Sequence, residues 1–146
     1  MPVEANARSD GVELRAYLDA DTYRSSQQLW LTVELTIEPG LHIYGKPIPE
    51  GYIPLSIAVA PLDGLVMGAP QWPAPHPYRV EWLEEELFVY EGKVAVPLPL
   101  TFTQAEGDQT LQVTVRYQAC SDTDCFLPST ARLQLPVKAV GDETVF

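Results

Sequence analysis

Two cysteines occur in the 146-residue chain, and both stand in one short stretch, Tyr117-Gln118-Ala119-Cys120-Ser121-Asp122-Thr123-Asp124-Cys125-Phe126-Leu127-Pro128. A strand-like alternation runs into Cys120, and the intervening Ser-Asp-Thr-Asp has the composition of a tight turn, so the pair is expected to cap a β-hairpin. There the two Cα atoms can approach within the roughly 4.4 to 6.8 Å that a disulfide needs, which two fully extended strands would prevent. Such a pair is equally open to the disulfide and to the dithiol state.

A bond here would close a loop of only six residues and stabilise the fold by about 2 kcal/mol, less than a long-range staple between sheets. A bridge on an exposed turn is instead within reach of another protein's thiolate, which makes thiol–disulfide exchange the chemistry to consider. Asp122 and Asp124 flank the sulfurs, and negative charge there disfavours a thiolate at either cysteine. The pair therefore has the character of a recipient of attack. An initiating pair of the thioredoxin kind would be C-x-x-C at a helix start, and this chain has neither feature. A small structural disulfide is the bland alternative.

Other chemistries fit poorly. Two cysteines and two histidines could in principle hold zinc, but structural zinc sites pair closely spaced ligands, whereas His42 and His76 lie far apart in proline-rich surroundings. Copper(I) held by thiolates and Met67 fits less well still. No serine or cysteine stands in a hydrolytic nucleophile motif. No metal site and no cofactor is expected. Nine basic against twenty acidic residues give a net charge of −11, which repels phosphate backbones and anionic lipid surfaces and argues against a nucleic-acid partner. No apolar run approaches the roughly 18 residues of a membrane span, and Met1-Pro2-Val3-Glu4 begins neither a signal peptide nor an anchor. If the cysteines cycle through a disulfide outside the cytoplasm, an export signal is expected to have been cleaved or left out of this sequence.

The elements that must position the hairpin are strands. Fourteen prolines, about twice the usual share, go with few helical patterns. Residues 1–11 are small and polar and are expected to form a loose arm. Apolar residues at 12, 14, 16 and 18 mark a half-buried strand, with a turn from Asp19 to Ser26. Gln28 to Glu38 alternates most clearly, Leu29, Leu31, Val33, Leu35 and Ile37 facing one way. Leu41 to Tyr44 is a short extended piece before a proline-rich loop. Leu55 to Ala60 and Gly64 to Met67 are further short strands, and Pro70 to Pro77 is a connector. Arg79 to Gly92 sets bulky apolar residues beside glutamates, as a hairpin or a helical turn, and its glutamates could simply be solvated. Lys93 to Thr103 turns Val94, Val96, Leu98, Leu100 and Phe102 inward, and Pro97 and Pro99 imply an edge strand or a bulge. Gln104 to Gln109 is a turn. Leu111 to Tyr117 delivers Cys120, and 131–137 is the last strand. Seven to nine strands in mostly antiparallel order predict an all-β, two-sheet antiparallel sandwich of immunoglobulin-like type. One domain is expected over 12–140, with a C-terminal tail at 141–146.

The stretch Tyr117-Gln118-Ala119-Cys120, with its acidic turn, Cys125 and Pro128, resembles the active-site segment of the N-terminal periplasmic domain of DsbD, the transmembrane thiol:disulfide interchange protein. The resemblance implies an immunoglobulin-like domain, periplasmic or otherwise extracytoplasmic, with one redox-active pair on a hairpin. It would act as a protein-disulfide reductase of the relay kind. Electrons would arrive from a thioredoxin-like domain and leave for thioredoxin-fold proteins through transient mixed disulfides, alongside or fused to a membrane electron carrier. It further implies that Cys125 bonds to partners and Cys120 resolves. Aromatic residues pack near the disulfide in this family, at positions matched by Tyr44, His42 and Tyr117. A cap loop shields the pair, and Trp82 or Leu83 falls at the matching place. This chain has four residues between its cysteines where the best-known members have five.

In the exchange so implied, a partner thiolate attacks the disulfide, a mixed disulfide forms and is resolved by a free thiol, and the reduced domain repeats this on an oxidised client. Phe126, Leu127 and Pro128 are the expected apolar contact with partners, and the glutamates a steering field. The rival reading is a non-redox binding module in which Trp30, Trp72, Trp82 and the tyrosines form an aromatic platform for sugar or peptide and the bridge only braces a loop. The two differ in whether a thioredoxin-type reductant opens the bridge.

Overall fold

Alternating apolar residues become strands wherever one face finds a core. The computed structural model describes residues 4–78, 86–104 and 107–139, and among these it contains thirteen strands. In chain order they are β1 (Glu4–Ser9), β2 (Val12–Leu18), β3 (Thr22–Tyr23), β4 (Gln27–Ile37), β5 (His42–Tyr44), β6 (Ser56–Val59) and β7 (Leu65–Met67). They continue with β8 (His76–Tyr78), β9 (Leu87–Tyr90), β10 (Lys93–Phe102), β11 (Asp108–Tyr117), β12 (Ala119–Cys120) and β13 (Ser129–Ala139). The first sheet runs β1-β2-β4-β10-β7 and the second β3-β13-β11-β6. Their inward residues merge in one core, which joins Leu14, Leu31, Val33 and Val96 of the first sheet to Leu111, Val113 and Leu135 of the second. The architecture is the expected immunoglobulin-like, all-β one. A third sheet, β12-β5-β9-β8, is an addition to the expected pair and carries the cysteines.

Three local expectations are corrected. The expected loose arm at 1–11 contains β1, which pairs with β2 from Glu4↔Tyr17 to Ser9↔Val12. Asp10 and Gly11, with φ of 52° and 76°, make the two-residue turn, whose positive φ values match the twist of the flanking strands. The Asp19 to Ser26 turn holds β3, which runs parallel to β13, because Tyr23 is a core residue stacked on Phe102 at 4.1 Å between ring centroids. Finally, β10 is not the outermost strand. The backbone amides of Gly68 and Gln71 donate to the carbonyls of Pro99 and Pro97 at 2.8 and 2.9 Å. Both prolines thus turn their donor-free side away from β4, toward a neighbour that needs only acceptors. Residues 140–146, with the expected domain end and tail, lie outside the described residues.

Candidate functional site: an asymmetric disulfide on a nested hairpin

The long β11/β13 pair holds register to Tyr117↔Ser129. Beyond it the chain leaves the second sheet, and Ala119 and Cys120 pair instead with Ile43 and His42 of β5. A smaller hairpin is therefore nested at the tip. The Phe126 amide donates to the Ala119 carbonyl at 2.9 Å and the Ser121 amide to the Asp124 carbonyl at 2.7 Å. Ser121 Oγ accepts from the amides of Thr123 and Asp124 at 3.3 and 3.1 Å, so the serine hydroxyl organises the turn as its composition suggested. Across it Cys120 and Cys125 form a disulfide with Cα atoms 4.0 Å apart.

Tyr117 anchors the base of this hairpin. It is fully buried in the main core and its hydroxyl donates to the Ser9 carbonyl at 2.9 Å, while Ser129 Oγ donates to Asp10 Oδ2 at 2.6 Å. The resemblance placed Tyr117 in the packing around the disulfide, and the structure puts it in the core beneath.

The third sheet separates core from site by the parity of its strands. Ile43, Tyr90 and Ala119 face the main core, whereas Tyr44, Leu87, Val89 and Cys120 form a second apolar cluster joined by Ile48, Tyr52 and Tyr78. His42 is 2% exposed and shares this side of β5. Its ring lies 4.3 Å from that of Tyr78 and edge-on to Tyr44 at 5.5 Å, and Tyr52 meets Tyr44 at 5.1 Å. His42 and Tyr44 are thus brought together at the cysteines, with Tyr52, Tyr78, Leu87 and Val89, which sequence reasoning missed. Their one visible signal was the density of aromatic residues in proline-rich loops.

The two sulfurs live in different surroundings. Cys120 is 1% exposed, packed in the cluster, while Cys125 lies on the exposed face of the turn. Cys125 borders two concavities. One, of about 140 Å³, is lined by His42, Tyr44, Tyr52, Tyr78 and Leu87 with the hairpin turn, and the other, of about 320 Å³, by Leu41, Ser121, Asp124 and Phe126. The Tyr44 hydroxyl donates to Cys125 Sγ at 3.9 Å, and burial, with Tyr52 beside it, pushes the Tyr44 phenol above its usual range. Tyr78 donates to Asp122 Oδ1, and that bond, with some burial, pushes the Tyr78 phenol up to about 12. Burial pushes His42 below the ordinary histidine value; Glu91 and Asp122 oppose this, and His76 adds to it. Phe126 is 45% and Leu127 85% exposed, and Pro128 is exposed beside them. Trp82 and Leu83, the expected cap, lie outside the described residues. Among the described residues no cluster of metal-ligating side chains is found.

An exposed disulfide sulfur backed by a buried one stands on the hairpin that the sequence singled out, an arrangement open to thiol–disulfide exchange. The family described as thiol:disulfide interchange protein DsbD, N-terminal, matches residues 14–136. The chain belongs to this DsbD N-terminal family. Its fold is similar to that of the N-terminal periplasmic domain of ScsB from Proteus mirabilis, with 20% identity and a TM-score of 0.63 over 87% of this chain and 47% of that one. The N-terminal domain of DsbD from Neisseria meningitidis in the reduced form is similar at 19% identity and a TM-score of 0.51, covering 91% of this chain and 82% of that one. The GAE domain of GGA2p from Saccharomyces cerevisiae shares the fold at 11% identity and a TM-score of 0.53, covering 91% and 97%. At such identities the structural likenesses speak for the fold, while the DsbD family match speaks for kinship. The chain spans just under half of the ScsB structure that it matches. None of the curated proteins compared with it matches significantly.

Proposed function

We propose that this DsbD-family domain is a periplasmic electron relay, in which Cys120 and Cys125 alternate between disulfide and dithiol while serving thioredoxin-fold partners. The observation that carries the reading is the unequal exposure of the two sulfurs: Cys120 is 1% exposed and Cys125 lies open on the turn. A bridge that served only to brace the fold would gain nothing from presenting one sulfur to solvent. A partner thiolate attacks Cys125 Sγ, the bond to Cys120 breaks, and Cys120 leaves as a thiolate and takes up a proton. A second partner thiol then attacks its own sulfur in the mixed disulfide and releases Cys125. The partner ends as a disulfide and this domain as a dithiol, two electrons richer. Toward an oxidised client the steps run in reverse, with Cys120 resolving.

Phe126, Leu127 and Pro128 offer the docking partner an apolar contact beside Cys125. The cap role of Trp82, with Leu83, belongs to the same proposal. Tyr78, at the end of β8, is held to Asp122 of the hairpin, and Trp82 follows it by four residues in the sequence. A periplasmic setting is supported by the ScsB relative, described as periplasmic. Among the described residues no helix is long and apolar enough to cross a membrane.

Trapping tests the reading. The Cys120→Ala variant, mixed with a thioredoxin-type protein carrying its disulfide, should yield a reducible covalent adduct through Cys125. The wild-type bridge should be reduced rapidly by the dithiol form. An adduct-free mixture, together with a wild-type bridge that resists thioredoxin, refutes the relay.

A further inference from the structure

The relay leaves one proton without an owner. When the mixed disulfide with a client is resolved, Cys120 must lose its thiol proton before its sulfur can attack Cys125, yet Cys120 is 1% exposed and has little access to solvent. Its cross-strand partner is His42, paired with it in the antiparallel β12/β5 ladder. Directly opposed residues project to the same face, with Cβ atoms roughly 4.5 to 5.5 Å apart. His42 is the buried polar residue of the described core, at 2% exposure, and it also lines the cavity that reaches Cys125. Its ring is held against Tyr78 and Tyr44, so its position is set by packing.

We propose that His42 accepts the Cys120 proton during resolution of the mixed disulfide. This inference rests on the relay reading. In the step, the imidazole takes the proton from Cys120–SH, the Cys120 sulfur forms its bond to Cys125 Sγ, and the client sulfur departs as a thiolate. The imidazolium then passes its proton to solvent or to the departing thiolate. In the opposite direction the imidazolium returns a proton to Cys120 as it leaves.

The surroundings suit a base. Of the charged and titratable groups facing His42, Tyr44 is on its own strand, Tyr78 and His76 on β8, Glu91 just beyond β9, Asp122 on the hairpin turn and Cys120 on β12. Burial outweighs the two carboxylates and keeps the imidazole below its ordinary value, so it is neutral and able to accept a proton at neutral pH.

Reduced protein and oxidised glutathione test this, since the reaction passes through a Cys125–glutathione adduct that Cys120 resolves. Acid-quenched samples read by mass spectrometry give both rates between pH 5 and 9. In wild type the resolution rate should rise through an inflection below the ordinary histidine value of about 6.5, coincident with the His42 titration followed by NMR in the Cys125→Ala variant. In His42→Gln resolution should slow by about 10²-fold and follow only the thiol's own titration, in keeping with loss of a general base. Adduct formation, measured separately in Cys120→Ala with and without His42→Gln, gives the rate of the attack step against which the resolution rate is read. Resolution in wild type with no inflection at the His42 titration, or equal resolution rates in His42→Gln and wild type, overturns the role of His42 and leaves the relay standing. Failure of wild type to form or resolve the adduct overturns both.

Discussion

The asymmetry of the two sulfurs predicts a large difference in reactivity between single-cysteine variants. In Cys120→Ala the remaining Cys125 stands on the exposed turn, and in Cys125→Ala the remaining Cys120 is 1% exposed beneath it. For a reagent to reach Cys120, β12 must detach from β5, which breaks the ladder of Ala119↔Ile43 and Cys120↔His42 and withdraws the side chain from Tyr44, Leu87 and Val89. Loss of that ladder costs about 2 kcal/mol, at about 1 kcal/mol per hydrogen bond. Exposing the apolar side chain adds about 1 kcal/mol. An opening free energy of about 3 kcal/mol corresponds to a reactive fraction near 1 in 10² at 25 °C. Labelling with iodoacetamide, which is uncharged and so not itself repelled by Asp122 and Asp124, should therefore run about 10²-fold faster at Cys125 than at Cys120 at pH 7.5. Urea should remove the difference. Native-state rates within threefold of one another would show that burial does not distinguish the sulfurs, and the assignment of Cys125 as the partner-bonding residue would lose its structural basis.

Three further outcomes are expected. Tyr117→Phe removes the hydroxyl bonded to the Ser9 carbonyl, and should lower unfolding free energy by about 1 to 2 kcal/mol in denaturant melts; an unchanged midpoint would mean that this tie does not anchor the hairpin base. Gly11→Ala should destabilise more than Gly92→Ala: both positions have positive φ, but an added Cβ at Gly11 would meet Leu41 Cδ1 at 2.5 Å, whereas nothing lies within 4 Å at Gly92. Equal losses in thermal unfolding would contradict this. Tyr78, with its phenol pushed up to about 12, should titrate well above the usual tyrosine value near 10, and Asp122→Ala should return it toward that value. Because the folded value is the higher one, the contribution of this bond to stability is complete below about pH 10 and is lost as pH rises through about 12. A tyrosine ultraviolet titration identical in wild type and Asp122→Ala would refute the contact.

Much of the scaffold was legible because half-buried strands announce themselves by alternation. Leu29 through Ile37 and Val94 through Phe102 face the core as their period of two requires, and β4 and β10 pair along nearly their whole length. The nested hairpin was legible for a different reason: a polar four-residue insert between two cysteines has few other ways to fold. Strands β1 and β3 were not legible. Glu4–Ser9 is polar and half exposed, and its order comes from pairing with β2, while Thr22–Tyr23 is too short to show any period.

Sequence by itself determined where sulfur chemistry could lie, since the only two cysteines stand on a turn that holds them together, beside carboxylates that discourage thiolates. Tertiary structure decided which sulfur is exposed. His42, Ile43 and Tyr44 are all buried, so β5 shows no alternation from which its two faces could be read. Its pairing with β12 turns Ala119 inward and Cys120 toward the aromatic shell, whose members Tyr52, Tyr78, Leu87 and Val89 come from segments 30 to 70 residues away along the chain. Contacts made between such distant segments depend on how the sheets pack, and local residue patterns carry no record of that.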